Sequence, residues 1–285
     1  MTGPERHKVS WWIKISGIGL VLAAGALLAE KPLTAPLSSK IQIADLTWVE
    51  VRAAVEQGFT TAIVPSGGLE QNGPHMAIGK HDRIVSWAVQ QIANRLGHTL
   101  ITPVVSYVPQ GAYDPPTDNM RFPGTLGVTE EAFAGTLEGI ARSLKATGFK
   151  TICFIADHAG SLKAQAQVAR RLNEEWSDAG IKVLDVTAYY GADLAQQKWL
   201  LARGETPGSI GGHAGLQDTS ELLAAWPQGV DLVRLTQWPR RSESTGASGD
   251  PTRASAERGR ALLDLKVDAA VAQISGERGS APAAH

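Results

Sequence analysis

The feature that most constrains the fold is a regular alternation of short apolar runs with longer amphipathic segments, which begins near Asp45. Segments with helical spacing lie between the apolar runs, and the first opens with a capping box formed by Thr47 and Glu50. The predicted strands cover Thr61 to Pro65, Thr99 to Val105, Lys150 to Ala156 and Ile181 to Thr187. Strands that alternate with helices predict an α/β domain with a mostly parallel sheet and helices on both faces. We place this domain at residues 40–277.

Composition and charge exclude several other classes of protein. With 285 residues and 43% hydrophobic content, the chain can bury a substantial core. The net charge of -1 gives no basic face, so no nucleic-acid partner is expected. The single cysteine, Cys153, lies in an apolar run and allows no internal disulfide. Neither the elbow motif of serine hydrolases nor the phosphate-binding loop of nucleotide hydrolases is present.

The N-terminal segment differs in character from the rest of the chain. A basic start is followed by an apolar stretch from Ile15 to Ala29, which is shorter than the ~20 residues that a membrane span needs. We therefore expect residues 1–29 to be a signal peptide, or an anchor that tethers the chain to the membrane through residues 11–29. The body is then periplasmic or otherwise exported. We expect residues 30–39 to form a linker and residues 278–285 a flexible tail.

The segment from Val64 to Asp82 holds the densest group of candidate metal ligands. It follows the first predicted strand and contains Glu70, His75, His81 and Asp82 in a sequence broken by Gly and Pro. Carboxylates and imidazoles are the ligands that zinc and related divalent metals prefer. A loop that leaves the carboxyl end of a strand is also where open α/β sheets place their sites.

Two further histidines, His158 and His213, fall in Gly-rich predicted loops, with Asp157 and Asp218 nearby. Since the ends of parallel strands meet at one edge of a sheet, we expect these groups to share a cleft with the first loop.

A long Pro/Gly-rich segment from Tyr107 to Val128 is also typical of a functional loop. Its polar residues either contact substrate or form a solvated surface; they are Asp114, Asp118, Asn119 and Arg121.

Five segments, in this order along the chain, resemble motifs of the creatininase family. They are Glu70-Gln-Asn-Gly-Pro-His75 with the following Lys80-His81-Asp82, Phe122 to Thr125, Asp157 to Ser161, His213 to Ser220, and Gly249 to Gly259. The corresponding family patterns include E-Q-H-G-x-H...D, N-G-H-x-x-N and H-A-G-x-x-E-T-S. The resemblance implies an α/β fold, metal-dependent hydrolysis of small cyclic or linear amides, and assembly as a homo-oligomer, commonly a hexamer.

Carried over position by position, the resemblance implies that Glu70, Asp82 and His158 bind metal. It places His213 in the position of proton transfer, with Asp218 in place of a family Glu. The chain departs from the family at Asn72, where a metal-binding His is usual, and at Gly160, which corresponds to a Glu in creatininase. The segment from His75 to Asp82 is one residue longer than in creatininase. Either His81 or Asp82 therefore takes the usual aspartate position, and His81 could replace the lost imidazole.

These residues together predict a divalent-metal site formed by Glu70, His81, Asp82 and His158, with zinc first and manganese or iron as alternatives. One firm metal site is expected, and a second is weak or absent. The expected function is that of an exported hydrolase of non-peptide C–N bonds in small amides. Metal-bound water would be the nucleophile, with His213 as acid and base beside Asp218. The alternatives are a non-catalytic periplasmic protein that binds a metal or ligand, and a structural protein in which these loops only stabilise the fold.

Overall fold

The structure is a computed structural model that describes residues 40–237 and 245–278. Its sheet contains four parallel strands: β1 (Thr61–Ser66), β2 (Thr99–Ile101), β3 (Thr151–Ala156) and β4 (Lys182–Asp185). Their order across the sheet is β2-β1-β3-β4. The chain moves outward from β1 to β2 on one side and from β3 to β4 on the other. The order therefore reverses between β1 and β3, which is where open α/β sheets form a crevice for ligands.

Helices cover both faces of this sheet, as the sequence predicts. They are α1 (Trp48–Glu56), α2 (Lys80–Leu96), α3 (Glu130–Thr147), α4 (Leu162–Glu175), α5 (Thr187–Gly191), α6 (Asp193–Leu201), α7 (Pro207–Ile210), α8 (Leu216–Ala225), α9 (Leu232–Thr236) and α10 (Ala256–Arg278). Successive strand residues point to opposite faces. Val64 and Phe154 pack with α1, α3 and α4, whereas Ile63 and Cys153 pack with α2, α5 and α10. All six residues of β1 are buried, as expected for a strand covered on both faces.

Several boundaries follow the local sequence signals. The capping box of Thr47 and Glu50 is present at the start of α1. Helix α3 ends at Gly148, whose φ of 109° is the left-handed conformation that favours glycine at this position. Strand β2 is shorter than predicted and ends at Ile101, because Pro103 has no N–H to continue the hydrogen-bonded ladder.

Two predicted loops contain the beginnings of helices. His81 and Asp82 lie in the first turn of α2, which begins at Lys80, and not in a loop. Similarly, the segment around Asp218 is helical from Leu216 onward. Gly-rich sequence precedes both helices and conceals where they begin.

The predicted signal or anchor at residues 1–29 and the linker at 30–39 lie outside the described residues. The predicted tail covers residues 278–285; Arg278 is the last residue of α10, and residues 279–285 also lie outside the described residues. Across residues 40–237 and 245–278, none of the helices combines the length and the apolar character needed to cross a membrane.

Candidate active site

Glu70 lies at the centre of a buried cluster between the loops that follow β1 and β3. Its Oε1 is 2.7 Å from Nε2 of His81, and its Oε2 is 3.0 Å from Nε2 of His158. The amide of Asn119 also donates to Oε2. Burial alone would raise the pKa of Glu70, but the neighbouring His81 and His158 outweigh burial and hold this pKa well below its usual range. Glu70 is therefore a carboxylate whose two oxygens face two imidazoles.

His81 is held between two carboxylates. Its Nδ1 is 2.7 Å from Oδ2 of Asp157, on the side of the ring opposite Glu70. Asp157 also accepts hydrogen bonds from Tyr189 at 2.8 Å and from Lys266 at 2.9 Å. Burial would raise the pKa of Asp157, but Lys266 and His81 lower it well below its usual range. The Asp157 carboxylate therefore orients His81 so that Nε2 points toward Glu70, as outer carboxylates do for metal-binding histidines.

His158 completes the cluster from the loop after β3. Its Nδ1 accepts a hydrogen bond from the Gly160 N–H at 3.2 Å, which leaves Nε2 facing Glu70. Burial is the main cause that lowers the pKa of His158, so this imidazole is neutral near pH 7. A neutral imidazole is the form that binds metals, and binding through Nε2 would release the proton that Nε2 donates to Glu70.

This donor set fits a divalent cation. One ligand atom from each of Glu70, His81 and His158 can be chosen so that all three lie within 4.8 Å of one another, and all three residues are buried. A carboxylate with two imidazoles is a ligand set that zinc, manganese and iron accept.

Asp82 was also expected to bind metal, but the structure does not bring it into this cluster. Its Oδ1 accepts a hydrogen bond from the Gly68 N–H at 2.9 Å. A Cβ on Gly67 would lie 1.9 Å from the same oxygen, so the chain after β1 passes very close to Asp82. The Asp82 carboxylate therefore holds the start of the loop against α2, and of these two adjacent residues only His81 contributes to the cluster.

Asn72 connects three points of the same loop. Its side-chain amide donates to the carbonyl oxygens of Glu70 at 2.8 Å, Ala77 at 3.1 Å and Ile78 at 3.3 Å. The residue is fully buried and does not line the cleft that contains Glu70. The side chain that stands where the family has a metal-binding His therefore stabilises the loop.

His213 lies beside the cluster. Its Nε2 donates to the Gln71 carbonyl oxygen at 2.9 Å, and its Nδ1 is 3.8 Å from Oε1 of Glu70. Burial, followed by the positive charge of Lys80, lowers the pKa of His213. His213 is therefore neutral near pH 7, with the unprotonated Nδ1 on the side of the Glu70 carboxylate.

Asp218 accepts hydrogen bonds from groups other than the His213 ring. Its Oδ2 accepts from Lys80 at 2.8 Å and from the backbone N–H of Ala214 at 2.8 Å. Burial would raise the pKa of Asp218, but Lys80 lowers it to about 2. Asp218 therefore fixes the backbone next to His213 and neutralises the charge of Lys80.

Four residues of this site give no signal in the sequence: Lys80, Tyr189, Glu221 and Lys266. Tyr189, Glu221 and Lys266 lie on helices α5, α8 and α10, where they are spaced like ordinary core or surface residues. Among the loop residues considered as substrate contacts, Asn119 reaches Glu70, whereas Asp114, Asp118 and Arg121 are exposed. The cluster opens into a cleft of about 300 Å³, whose other walls include Tyr190, Gln197 and Gln217.

The chain is similar to known proteins over most of its length. The family model described as creatininase, creatinine amidohydrolase, matches residues 44–274. The creatinine amidohydrolase of Pseudomonas putida is 25% identical over 248 residues, which cover 81% of this chain and 95% of that protein. The mycofactocin precursor peptide peptidase of Mycobacterium ulcerans is 28% identical over 238 residues, covering 76% of this chain and 85% of that one.

A solved structure described as creatininase with Mn gives a TM-score of 0.65 at 25% identity, and covers 86% of this chain and 100% of that chain. The same α/β architecture, the matched span and the buried Glu/His/His cluster agree with one another. This chain belongs to the creatininase family of amidohydrolases.

Proposed function

We propose that this protein is a metal-dependent hydrolase that cleaves the C–N bond of a small cyclic or linear amide. The observation that supports this most directly is the Glu70 carboxylate, which faces His81 and His158 at the point where the strand order reverses. Glu70, His81 and His158 would hold the divalent ion. When bound there, the ion supplies Lewis-acid activation of water and of the amide carbonyl.

His213 is the proposed proton carrier. With its Nε2 donating to the Gln71 carbonyl, the free Nδ1 accepts a proton from the attacking water and then delivers it to the leaving nitrogen. A lowered pKa suits the first of these steps, because the imidazole starts in its neutral form. Asp218 is a positioning residue, since it fixes the N–H of Ala214, the residue that follows His213.

The proposed substrate is a non-peptide amide, and peptide hydrolysis is the competing reaction. The Pseudomonas putida relative is named creatinine amidohydrolase, which supports hydrolysis of a non-peptide amide. The Mycobacterium ulcerans relative is named as a peptide peptidase, which supports peptide hydrolysis. A cleft of about 300 Å³ suits a small amide or the end of a short peptide.

The test uses the full chain loaded with zinc, manganese or iron(II), assayed against lactams, linear amides and short peptides by detection of the released amine. We expect hydrolysis in the amide group, with zinc as the proposed natural metal. Glu70→Gln should bind less metal and lose activity, whereas Lys163→Met, at an exposed position, should retain both. Metal-free purified protein that also fails to bind added metal would contradict the proposal. Metal-loaded protein that is inert on every amide would favour the non-catalytic binding protein.

We also propose that the protein is exported, through residues 1–29 as a cleaved signal or an anchor, and that it forms a homo-oligomer, most simply a hexamer. The basic start and the apolar stretch support export, and the family resemblance supports the oligomer. Cell fractionation with N-terminal sequencing tests the first proposal. Light scattering of the purified protein tests the second. A cytoplasmic protein that retains Met1, or a monomer, would contradict them.

A further inference from the structure

Lys80 occupies a position that ordinary helix energetics disfavour. It is the first residue of the 17-residue helix α2, where the partial positive charge of the helix N-terminus repels cations. Its side chain is also only 1% exposed, and burial of an ammonium group is costly unless carboxylates compensate. A lysine held in such a place suggests a role at the site, since local rules are most often broken where function requires it.

The carboxylates that compensate the charge of Lys80 are those of Glu70, in the candidate metal site, and Asp218, beside it. The Lys80 Nζ is 2.8 Å from Oδ2 of Asp218 and 3.8 Å from Oε1 of Glu70. This Glu70 oxygen is the one that faces Nε2 of His81. The ammonium group therefore lies directly beside the position that a bound cation would take.

Charge counting shows the consequence. Ion pairs connect the cluster into one network, in which Lys80 joins Glu70 to Asp218, and His81 joins Glu70 to Asp157. Lys266 then joins Asp157 to Glu221. When the imidazoles are neutral, as metal binding requires, the four carboxylates and the two ammonium groups give the network a net charge of -2. One divalent cation brings this network to neutrality, whereas a second would leave it at +2 in a buried site.

We propose that the Lys80 ammonium is a fixed cation of the metal centre, which weakens the attraction of the cluster for divalent ions and limits it to one ion per chain. The inference rests on the proposed metal site at Glu70, His81 and His158. Lys80 acts through electrostatic repulsion at short range, in a buried region where such interactions are screened little.

The experiment measures zinc binding to the full chain after removal of metal. After dialysis, the number of zinc ions per chain is measured by elemental mass spectrometry. The dissociation constant for zinc is obtained by competition with a chelating dye. Four proteins set the network charge: Lys80→Met at -3, wild type at -2, the double variant Lys80→Met with Asp218→Asn at -2, and Asp218→Asn at -1. Lys163→Met, an exposed lysine outside the network, is the matched control.

We expect one zinc per wild-type chain. The Lys80→Met variant should bind zinc on the order of tenfold more tightly, and Asp218→Asn on the order of tenfold more weakly. The double variant should return to within about threefold of wild type, because its network charge is restored. Lys163→Met should equal wild type.

Two zinc ions per wild-type chain would overturn the inference without any variant, so the test survives if Lys80→Met fails to fold. Equal zinc affinities across the folded network variants would also overturn it, while leaving the proposed metal site intact. If the wild-type chain bound no divalent ion at all, the proposed function itself would fail, and the inference with it.

Discussion

Asp157 determines which nitrogen of His81 faces Glu70. Because it bonds Nδ1 at 2.7 Å and is itself held by Tyr189 and Lys266, the imidazole has one orientation available. His81 is therefore presented to a cation without the loss of side-chain freedom that a mobile ligand would incur. The short side chain of Asn72 plays a different part, since its amide bonds three carbonyl oxygens of the loop.

The first prediction concerns the orientation of His81. We expect Asp157→Asn to weaken zinc affinity roughly 10- to 100-fold, as loss of such a carboxylate commonly does. Glu221→Gln is the matched control, since it changes the network charge equally but lies three contacts away from His81, through Lys266 and Asp157. Competition with a chelating dye measures the zinc affinity of both variants. If the two variants lose the same affinity, charge alone explains the effect and orientation of His81 does not.

The second prediction concerns His213. We expect His213→Gln to retain its zinc and to lose activity by roughly 10²- to 10⁴-fold. In wild type, burial lowers the pKa of His213, and the neutral ring is the active form. Activity should therefore be constant near neutral pH. It should fall only at a pH below about 6.5, the ordinary pKa of a histidine, because the ring is protonated as the pH passes through its lowered pKa. A profile of kcat/KM against pH checks this, and an acid limb of the same shape in His213→Gln would assign it to another group.

At the scale of elements, the start of α2 determines which of His81 and Asp82 faces Glu70. Adjacent helical residues point about 100° apart, because an α-helix has 3.6 residues per turn. His81 therefore faces Glu70, while Asp82 faces the backbone of Gly68. The sequence predicts the ligand-rich loop after β1 but leaves the choice open, since Gly79 gives no side-chain cap from which the first helical residue could be read.

The other residues of the site show which contacts cannot be predicted from sequence patterns. Periodicity identifies the strands and the two loops that contain Glu70 and His158, because those signals are local. Lys266 lies 109 residues from its partner Asp157, on a helix whose pattern does not mark the residue as special. Contacts of this kind depend on how helices pack across the sheet, and no single segment encodes them.

The third prediction concerns the loop between β1 and α2. We expect Asn72→Ala to lower the free energy of unfolding of the metal-free protein by about 2 kcal/mol. The carbonyl oxygen of Glu70 loses the donor from Asn72, and those of Ala77 and Ile78 each lose one of two donors. Zinc per chain should stay unchanged, since Asn72 does not line the cleft. Urea denaturation measures the first quantity and elemental analysis the second. Loss of the bound zinc in a folded variant would identify Asn72 as a ligand.

The fourth prediction concerns the contact of the loop before α7 with two arginines, one in the segment before α10 and one in the first turn of α10. Glu205 bonds Arg253 at 2.7 Å and Arg258 at 2.8 Å, and Arg253 is the main cause that lowers the pKa of Glu205 to about 2. Because this pKa lies below that of an unfolded Glu, about 4.3, the pair stabilises the protein above that pH. The stabilisation is then lost as the pH falls toward 2.

We expect Glu205→Gln to lower the free energy of unfolding by about 2 kcal/mol at pH 7. The difference from wild type should shrink as the pH falls below about 4.3, because the wild-type carboxyl then begins to be protonated. Urea denaturation across this range measures the difference, with Glu257→Gln, on the surface of α10, as control. A difference that stays constant with pH would mean that the charge of Glu205 does not contribute.

At the scale of the whole molecule, the site joins segments that the sheet order would otherwise leave independent. Glu70 follows β1, His81 begins α2 and His158 follows β3, so the three candidate ligands lie on both sides of the point where the strand order reverses. The C-terminal helix α10 adds Lys266 beneath them. A cation held here would connect the two halves of the sheet in the folded state, while the unfolded chain offers no such arrangement.

Metal binding should therefore raise the melting temperature of the whole domain. At free zinc 100-fold above the dissociation constant, binding contributes about 2.7 kcal/mol. For a domain of this size, that corresponds to an increase of roughly 5–10 °C, which chelation should reverse. Differential scanning calorimetry with and without zinc measures the shift. The Lys163→Met variant should show the same rise in melting temperature as wild type. The Glu70→Gln variant should lose most of this rise, because the Glu70 carboxylate is the charged group among the three candidate ligands. An equal shift in Glu70→Gln would place the stabilising zinc elsewhere on the protein.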